Sequence, residues 1–100
     1  MIKHIVMWRL NETADGRDKR ANALLIKEKL ESMRGKIPGM LKVEVGLNFD
    51  VSADACDVAL YAEFEDRAAR QRYQGHPEHV AFKDFIKNVR FERRVVDYEV

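Results

Sequence analysis

The sequence predicts an α+β, ferredoxin-like fold: a four-stranded antiparallel sheet with both helices on one face, whose other face is expected to pack on a second copy of the chain. The 100 residues suffice for one domain, 1–100, because single cores usually hold about 100 to 150 residues. Apolar residues alternate at the strand period in some segments and recur at helical spacing in others. The resulting order is β-α-β-β-α-β, which is the split βαβ arrangement.

The first strand is predicted at residues 2–10, where β-branched and aromatic side chains are frequent and the turn former Asn11 follows. Both faces of this strand carry apolar groups, which is typical of a strand covered on both sides. His4 shares a face with Val6 and Trp8. The sequence leaves open whether that face looks toward the helices or toward a partner subunit.

The first helix is predicted after a polar turn at residues 13–16. Apolar residues recur there at spacings of three and four, namely Ala23, Ile26, Leu30, Met33 and Ile37. This spacing predicts an amphipathic helix of about five turns. Pro38 and Gly39 are expected to end the helix, because proline lacks an N–H donor and glycine tolerates a positive φ.

The second and third strands are predicted at residues 41–49 and 56–64, as an antiparallel hairpin joined by the polar segment 50–55. Odd-numbered positions of the second strand are apolar and even-numbered ones are polar or glycine, which is the strand period of two.

The second helix is predicted in two segments. Asp66 is expected to cap the first, which breaks at Gly75, and Pro77 opens the next, since proline is tolerated in a first helical turn. The last strand is predicted at residues 91–100, where side chains again alternate.

This arrangement leaves one face of the sheet without a helix. Apolar groups on that bare face are most simply covered by the same face of a second copy, which predicts a homodimer with two-fold symmetry. A charge placed at Val45 or Val58 is accordingly predicted to destabilise the dimer.

Composition argues against several classes of partner. The 18 basic and 17 acidic residues give a formal charge of +1, which provides no field to attract nucleic acid or an anionic membrane. The longest apolar run is residues 58–62, far short of the ~20 residues that cross a bilayer. With one cysteine, Cys56, and no export signal in the sequence, a cytoplasmic location is expected.

The densest group of chemically capable residues is the segment Tyr73-Gln74-Gly75-His76-Pro77-Glu78-His79. His79 shares a helical stripe with Phe82, so its imidazole is predicted to lie between helix and sheet, where it can exchange protons near neutral pH. Tyr73 is placed to stabilise an oxyanion. A structural alternative remains open: His76 caps the helix, His79 is a hydrogen-bonded core histidine and Tyr73 is a packed ring.

Other polar groups favour structural roles. Trp8 either forms a pocket wall or fills the core, and His4 either joins the pocket or lines the dimer interior. Arg90, Arg93 and Arg94 are expected to be solvated or to form interface salt bridges.

Taken together, these motifs resemble the stress-responsive A/B barrel domain family, also called the dimeric α+β barrel proteins. The resemblance covers nearly the whole chain and rests on the segments Ile2-Lys3-His4-Ile5-Val6, Ile37-Pro38-Gly39-Met40, Val45-Gly46-Leu47-Asn48, Asp57-Val58-Ala59-Leu60, Tyr73-x-x-His76-Pro77-x-His79 and Val96-Asp97-Tyr98-Glu99.

The resemblance implies a homodimer whose sheets face each other. In one plant branch, olivetolic acid cyclase, an aldol condensation uses a tyrosine and a histidine that match Tyr73 and His79, and a further pocket histidine matches His4. Trp8, His76 and Phe82 are expected to line the ligand site with them. No catalytic cofactor is implied.

Some members of the family also hold a structural magnesium ion. The ligands are backbone carbonyls in the turn after the first helix, which correspond here to Arg34, Ile37 and Met40.

Two functional hypotheses follow. In the first, the protein binds a small apolar or aromatic carbonyl compound and acts as an aldol-type cyclase, lyase or isomerase, in which His79 removes a proton beside the carbonyl and Tyr73 stabilises the enolate. In the second, it is a noncatalytic stress-response or accessory dimer in which these residues only pack. Haem binding is a third and less favoured hypothesis, because the Asn, Trp and His set of haem-binding dimeric barrels cannot be placed on this sequence.

Overall fold

The computed structural model describes residues 1–100. Its elements in chain order are β1 (Ile2–Leu10), β2 (Thr13–Ala14), β3 (Arg17–Asp18), α1 (Lys19–Glu31), β4 (Met40–Leu47), β5 (Val58–Phe64), α2 (Arg67–Gln74), α3 (Pro77–Val89) and β6 (Arg90–Glu99). None of the helices combines the length and the hydropathy that crossing a bilayer requires.

Four strands form one antiparallel sheet in the order β4-β5-β1-β6. This arrangement confirms the predicted α+β, ferredoxin-like fold class. The even-numbered side chains of β1 are buried, and the apolar ones join the side chains of the helices in a single core. His4 therefore faces the helices, which answers the question that its sequence left open.

The second helical region has the predicted break. Asp66 caps α2, with a carboxylate oxygen that accepts the N–H of Ala69 at 2.8 Å. Gly75 ends α2 and Pro77 begins α3. The break sets Tyr73 and His79 on two separate helices rather than on one continuous helix.

The prediction that the first helix continues to Ile37 is wrong. Helix α1 ends at Glu31, with Ser32 as its C-cap. Hydrogen bonds between residues three apart follow, and Gly35 turns the chain with a φ of 79°. Met33 and Ile37 are nevertheless buried. The apolar spacing thus identified core residues correctly, but part of it lies in tight turns rather than in a helix.

The second predicted strand is shorter than its apolar alternation. β4 ends at Leu47, and Phe49 beyond it is 96% exposed. The pairing of β4 with β5 shifts between Met40 and Lys42, so that Leu41 is the extra residue of a bulge and faces solvent.

The polar turn predicted after the first strand is a small hairpin, β2–β3. Asp15 and Gly16 have φ values of 54° and 75°, as a two-residue hairpin turn requires. The buried Asn22 of α1 holds the hairpin in place: its Nδ2 donates to the Ala14 carbonyl at 3.1 Å, and its Oδ1 accepts from Arg17 Nε at 2.8 Å.

The bare face of the sheet is not the face that carries Val45 and Val58. These two valines are 2% and 1% exposed and belong to the core beneath the helices, so a charge there disrupts the fold itself. Alternation shows which residues share a face, but not which layer covers that face. By strand pairing, the apolar groups of the bare face are Ile5, Met7, Ala59, Tyr61, Val96 and Tyr98.

Candidate functional site

A pocket of about 230 Å³ lies between the helix-facing side of the sheet and helices α2 and α3, and it opens to solvent. Five of the six residues predicted for the ligand site line it: His4, Trp8, Tyr73, His79 and Phe82. The fold therefore brings together two imidazoles, a phenol and two aromatic walls from three different elements.

His79 stacks on Tyr73, with ring centroids 4.1 Å apart and planes tilted by 37°. Its Nδ1 lies 3.2 Å from the carbonyl oxygen of Gln74. Since a carbonyl oxygen only accepts, Nδ1 carries the proton and Nε2 keeps its lone pair. Burial lowers the pKa of His79, and the charge of Lys83 lowers it further, against the effect of the Gln74 carbonyl. His79 is thus a neutral base at pH 7.

Tyr73 is 2% exposed, and its hydroxyl has one polar neighbour, the Met33 sulfur at 3.9 Å. A thioether is a weak acceptor, so the hydroxyl remains able to donate a stronger hydrogen bond. Burial raises the pKa of Tyr73 to about 12, against the opposing charges of Arg70 and Arg93. The phenol therefore keeps its proton at neutral pH and acts as a donor.

His4 is hydrogen-bonded to Asp97, with Nδ1 and Oδ1 2.6 Å apart. Burial lowers the pKa of His4 to about 4 and the charge of Arg70 adds to this, outweighing the opposite effect of Asp97. The contact is therefore a hydrogen bond from a neutral imidazole to a carboxylate, not an ion pair. Nδ1 donates, and Nε2 is left as an acceptor.

Asp97 is held in its charged form. Burial disfavours ionisation of this carboxyl, but hydrogen bonds from Arg70 and His4 outweigh burial and keep the pKa of Asp97 below its usual value. Arg70 Nε donates to Asp97 Oδ1 at 2.9 Å. The chain Arg70–Asp97–His4 thus fixes the tautomer and the orientation of the imidazole.

Trp8 and Phe82 form the aromatic wall of the pocket, packed edge to face with ring centroids 5.9 Å apart. Both side chains also belong to the hydrophobic core, so the same two residues fill the core and line the pocket. They do not fill the space next to His79, which remains open. Trp8 is 3% exposed, and its indole N–H is buried without a hydrogen-bond partner.

His76 lies outside the pocket lining. Its Nδ1 accepts the backbone N–H of Glu78 at 3.1 Å and thereby caps α3. The structure places His76 in the capping role considered from the sequence and does not bring it to the ligand site.

The carbonyl groups proposed to hold magnesium belong to Arg34, Ile37 and Met40, between α1 and β4. The Ile37 carbonyl already accepts the N–H of Met40 at 3.1 Å. The Arg34 guanidinium donates to the Val43 carbonyl at 2.8 Å, and Lys42 lines the same surface depression. Magnesium is usually held by one or two carboxylates and water. The depression is lined by two cations, Arg34 and Lys42, and by one carboxylate, Glu44, so its net positive charge does not favour Mg²⁺ at the three carbonyls.

The sequence reasoning missed the residues that support His4. Asp97 contacts both His4 and Arg70, and these partners are 93 and 27 residues away from it in the chain. The antiparallel pairing of β1 with β6 puts Asp97 directly opposite His4. The contact could have been predicted only from the correct pairing register of the first and last strands.

The arginine cluster of β6 was predicted to be solvated or to form interface salt bridges. Arg93 is exposed to solvent as predicted, but Arg93 and the half-buried Arg90 also line the pocket, which was not predicted. Arg94 does pair with a carboxylate, Glu92, at 2.9 Å.

Comparison with known proteins agrees with the fold. The sequence model of the Stress Responsive A/B Barrel Domain family matches residues 2–100. A dimeric protein of unknown function with a ferredoxin-like fold from Bacteroides fragilis is 33% identical, with a TM-score of 0.81, over 99% of this chain and 95% of that one. A Dabb family protein from Mesorhizobium loti is 28% identical, with a TM-score of 0.71, over 99% and 95% of the two chains.

A more distant similarity is to a hydroxynitrile lyase from Passiflora edulis. It is 18% identical, with a TM-score of 0.78, over 99% of this chain and 92% of the lyase. At this identity the similarity shows a shared fold alone. Among curated proteins, none matches the chain.

Proposed function

The chain belongs to the stress-responsive A/B barrel domain family, and from this premise we propose that it is a homodimer whose pocket binds a small apolar or aromatic carbonyl compound and moves a proton beside the carbonyl. Aldol-type cyclisations and carbonyl isomerisations begin with such a proton transfer, and a retro-aldol lyase reaction passes through the same enolate in the reverse direction.

One observation carries the proposal: a neutral imidazole with a free Nε2 stacks on a protonated tyrosine at the wall of an open pocket. A general base must be unprotonated at the working pH, and burial lowers the pKa of His79 in the required direction. Donation of its Nδ1 proton to the Gln74 carbonyl holds the ring in the tautomer that can accept a proton.

In this mechanism His79 Nε2 takes the proton from the carbon next to the substrate carbonyl. The electron pair moves onto the carbonyl oxygen, and the Tyr73 hydroxyl donates a hydrogen bond to the resulting enolate. Such a bond is stronger to the enolate than to the neutral carbonyl, because a charged acceptor strengthens a hydrogen bond. Return of the proton at another position completes an isomerisation. In an aldol step the enolate attacks a second carbonyl, and the new alkoxide takes the proton back from His79.

The shared fold with the Passiflora edulis hydroxynitrile lyase supports the proposal only in showing that a lyase occurs on this architecture.

The test is exchange of the methyl protons of acetophenone for deuterium in heavy water, followed by NMR. We expect His79→Gln to lower the protein-catalysed rate by about 10²- to 10⁴-fold, the usual contribution of a general base. His76→Gln is the matched control, since His76 lies outside the pocket. An equal rate in the His79 variant, or no exchange above buffer with the wild type, would refute the enzyme proposal.

The alternative function, a noncatalytic dimer, is supported by the exposed apolar side chains of the bare sheet face. Met7, Val96 and Tyr98 are 40%, 49% and 43% exposed there, although large apolar side chains gain from burial. Light scattering is expected to give about twice the chain mass of 11.7 kDa. Val96→Glu should shift the protein toward monomer, and Leu24→Glu, an equally exposed helix residue, should not. A dimer without proton exchange would establish this alternative.

A further inference from the structure

We infer that the ligand of this pocket is an organic anion, a small aromatic or apolar compound that carries a carboxylate group. The inference rests on the proposed function, because it concerns the same pocket, and it adds the charge of the compound that binds there.

The pocket lining is strongly biased toward positive charge. Four cationic side chains contribute to it, Lys83, Lys87, Arg90 and Arg93, and no aspartate or glutamate does. None of the four takes part in a salt bridge. The charge of Asp97 acts on Arg93, but this carboxylate is already hydrogen-bonded to Arg70 and His4. The lining therefore keeps an excess of positive charge.

The cations come from consecutive elements that meet at one side of the pocket. Lys83 and Lys87 are four residues apart on α3, a spacing that puts both on one helix face. Arg90 and Arg93 follow on β6. Burial lowers the pKa of Arg93, and the charges of Arg90 and Arg70 lower it further, against the opposing charge of Asp97.

Two donors of the lining residues are also left without acceptors. The Nε of Arg90 and the indole N–H of Trp8 are buried and make no hydrogen bond. Buried polar groups are nearly always paired, so an unpaired donor in a pocket wall points to a ligand with acceptor atoms. Oxygen atoms of a carboxylate accept from guanidinium groups in well-aligned pairs.

The size of the pocket limits the rest of the ligand. An apolar cavity of about 150 Å³ holds benzene. The volume here is about 230 Å³, which suits one ring with a carboxylate and a few further atoms. Trp8 and Phe82 supply the apolar wall for the ring, and the arginines supply the site for the charge.

The experiment compares benzoate with benzamide, which has the same ring and shape but no charge. The chain contains one tryptophan, so a single indole signal in the ¹H–¹⁵N spectrum reports on the pocket wall. Titration at low salt is expected to shift this signal with both probes, and benzoate should bind about tenfold more tightly, since charged partners strengthen hydrogen bonds. The advantage of benzoate should shrink at high salt.

Arg93→Gln should remove most of the benzoate advantage and leave benzamide unchanged. Lys36→Gln, which removes the same charge at an exposed site away from the pocket, should change neither. Equal affinity of the two probes, equal loss in both variants, or an indole signal that neither probe shifts would overturn the inference. Acetophenone exchange is measured separately on the same samples, so the proposed proton transfer can stand when the preference for an anion fails.

Discussion

Acidification is predicted to destabilise the protein through His4. The histidine is 2% exposed and neutral in the folded state, where its pKa is about 4, whereas an unfolded histidine has a pKa of about 6.5. Between these values the unfolded chain binds more protons, so the free energy of unfolding falls as the pH falls through this window. Above about pH 6.5 the contribution is fully present.

The magnitude follows from the two pKa values. They differ by about 2.5, and each pKa unit corresponds to about 1.36 kcal/mol, so full protonation costs about 3 kcal/mol of stability. About 2.5 kcal/mol of this should be lost by pH 4.5. Asp97 has a lowered pKa and loses its own contribution only when the pH falls further, below its unfolded value of about 3.9.

Urea unfolding at fixed protein concentration, at several values between pH 7.5 and 4.5, measures the loss. His79 also has a lowered pKa and contributes in the same window, so the comparison is with His4→Asn. The asparagine amide can still donate to Asp97 but does not titrate. We expect a clearly shallower pH dependence in this variant. Equal slopes for the two proteins, or a wild type that gains stability on acidification, would refute the reasoning.

Two further predictions concern backbone features. Gly39→Ala should lower the free energy of unfolding by about 2 kcal/mol or more, because Gly39 has a φ of 80° and a Cβ there would lie 2.5 Å from the Cβ of Ala69. The control is Gly75→Ala, whose added Cβ meets nothing within 4 Å and should have little effect in the same thermal melts. Asp18→Ala should cost about 1 kcal/mol in urea unfolding, because the Asp18 carboxylate accepts the N–H of Ala21 at 2.8 Å and caps α1, and a loss near zero would contradict this role.

The fold class was predictable because local patterns and element order agree. Period-two alternation marked the main strands, and Asp66, Gly75 and Pro77 marked the break between α2 and α3. The end of α1 was not predictable from spacing, because tight turns after Glu31 bury Met33 and Ile37 as a helix would. The spacing of apolar residues shows which positions contact the core, and several backbone conformations can give the same spacing.

The candidate site was predictable only where its residues lie on one local pattern. Tyr73 and His79 flank a single break in the chain, so the sequence brings them together. The Asp97–His4 contact depends on the register of the first and last strands, which no local pattern specifies. The spacing of Arg90 and Arg93 fits solvent exposure as well as it fits a pocket wall. Only the packing of α3 on the sheet places these two side chains at the pocket.

The Leu41 bulge in β4 has a consequence for resistance to aggregation. β4 is one edge of the sheet, and an unpaired edge is a template on which another chain can add a strand. The register shift between Met40 and Lys42 interrupts the regular spacing of the edge hydrogen bonds, and Lys42 and Glu44 put charges beside it. An incoming strand thus meets a kinked and charged edge, so misfolded fibrils should not start from this side of the molecule.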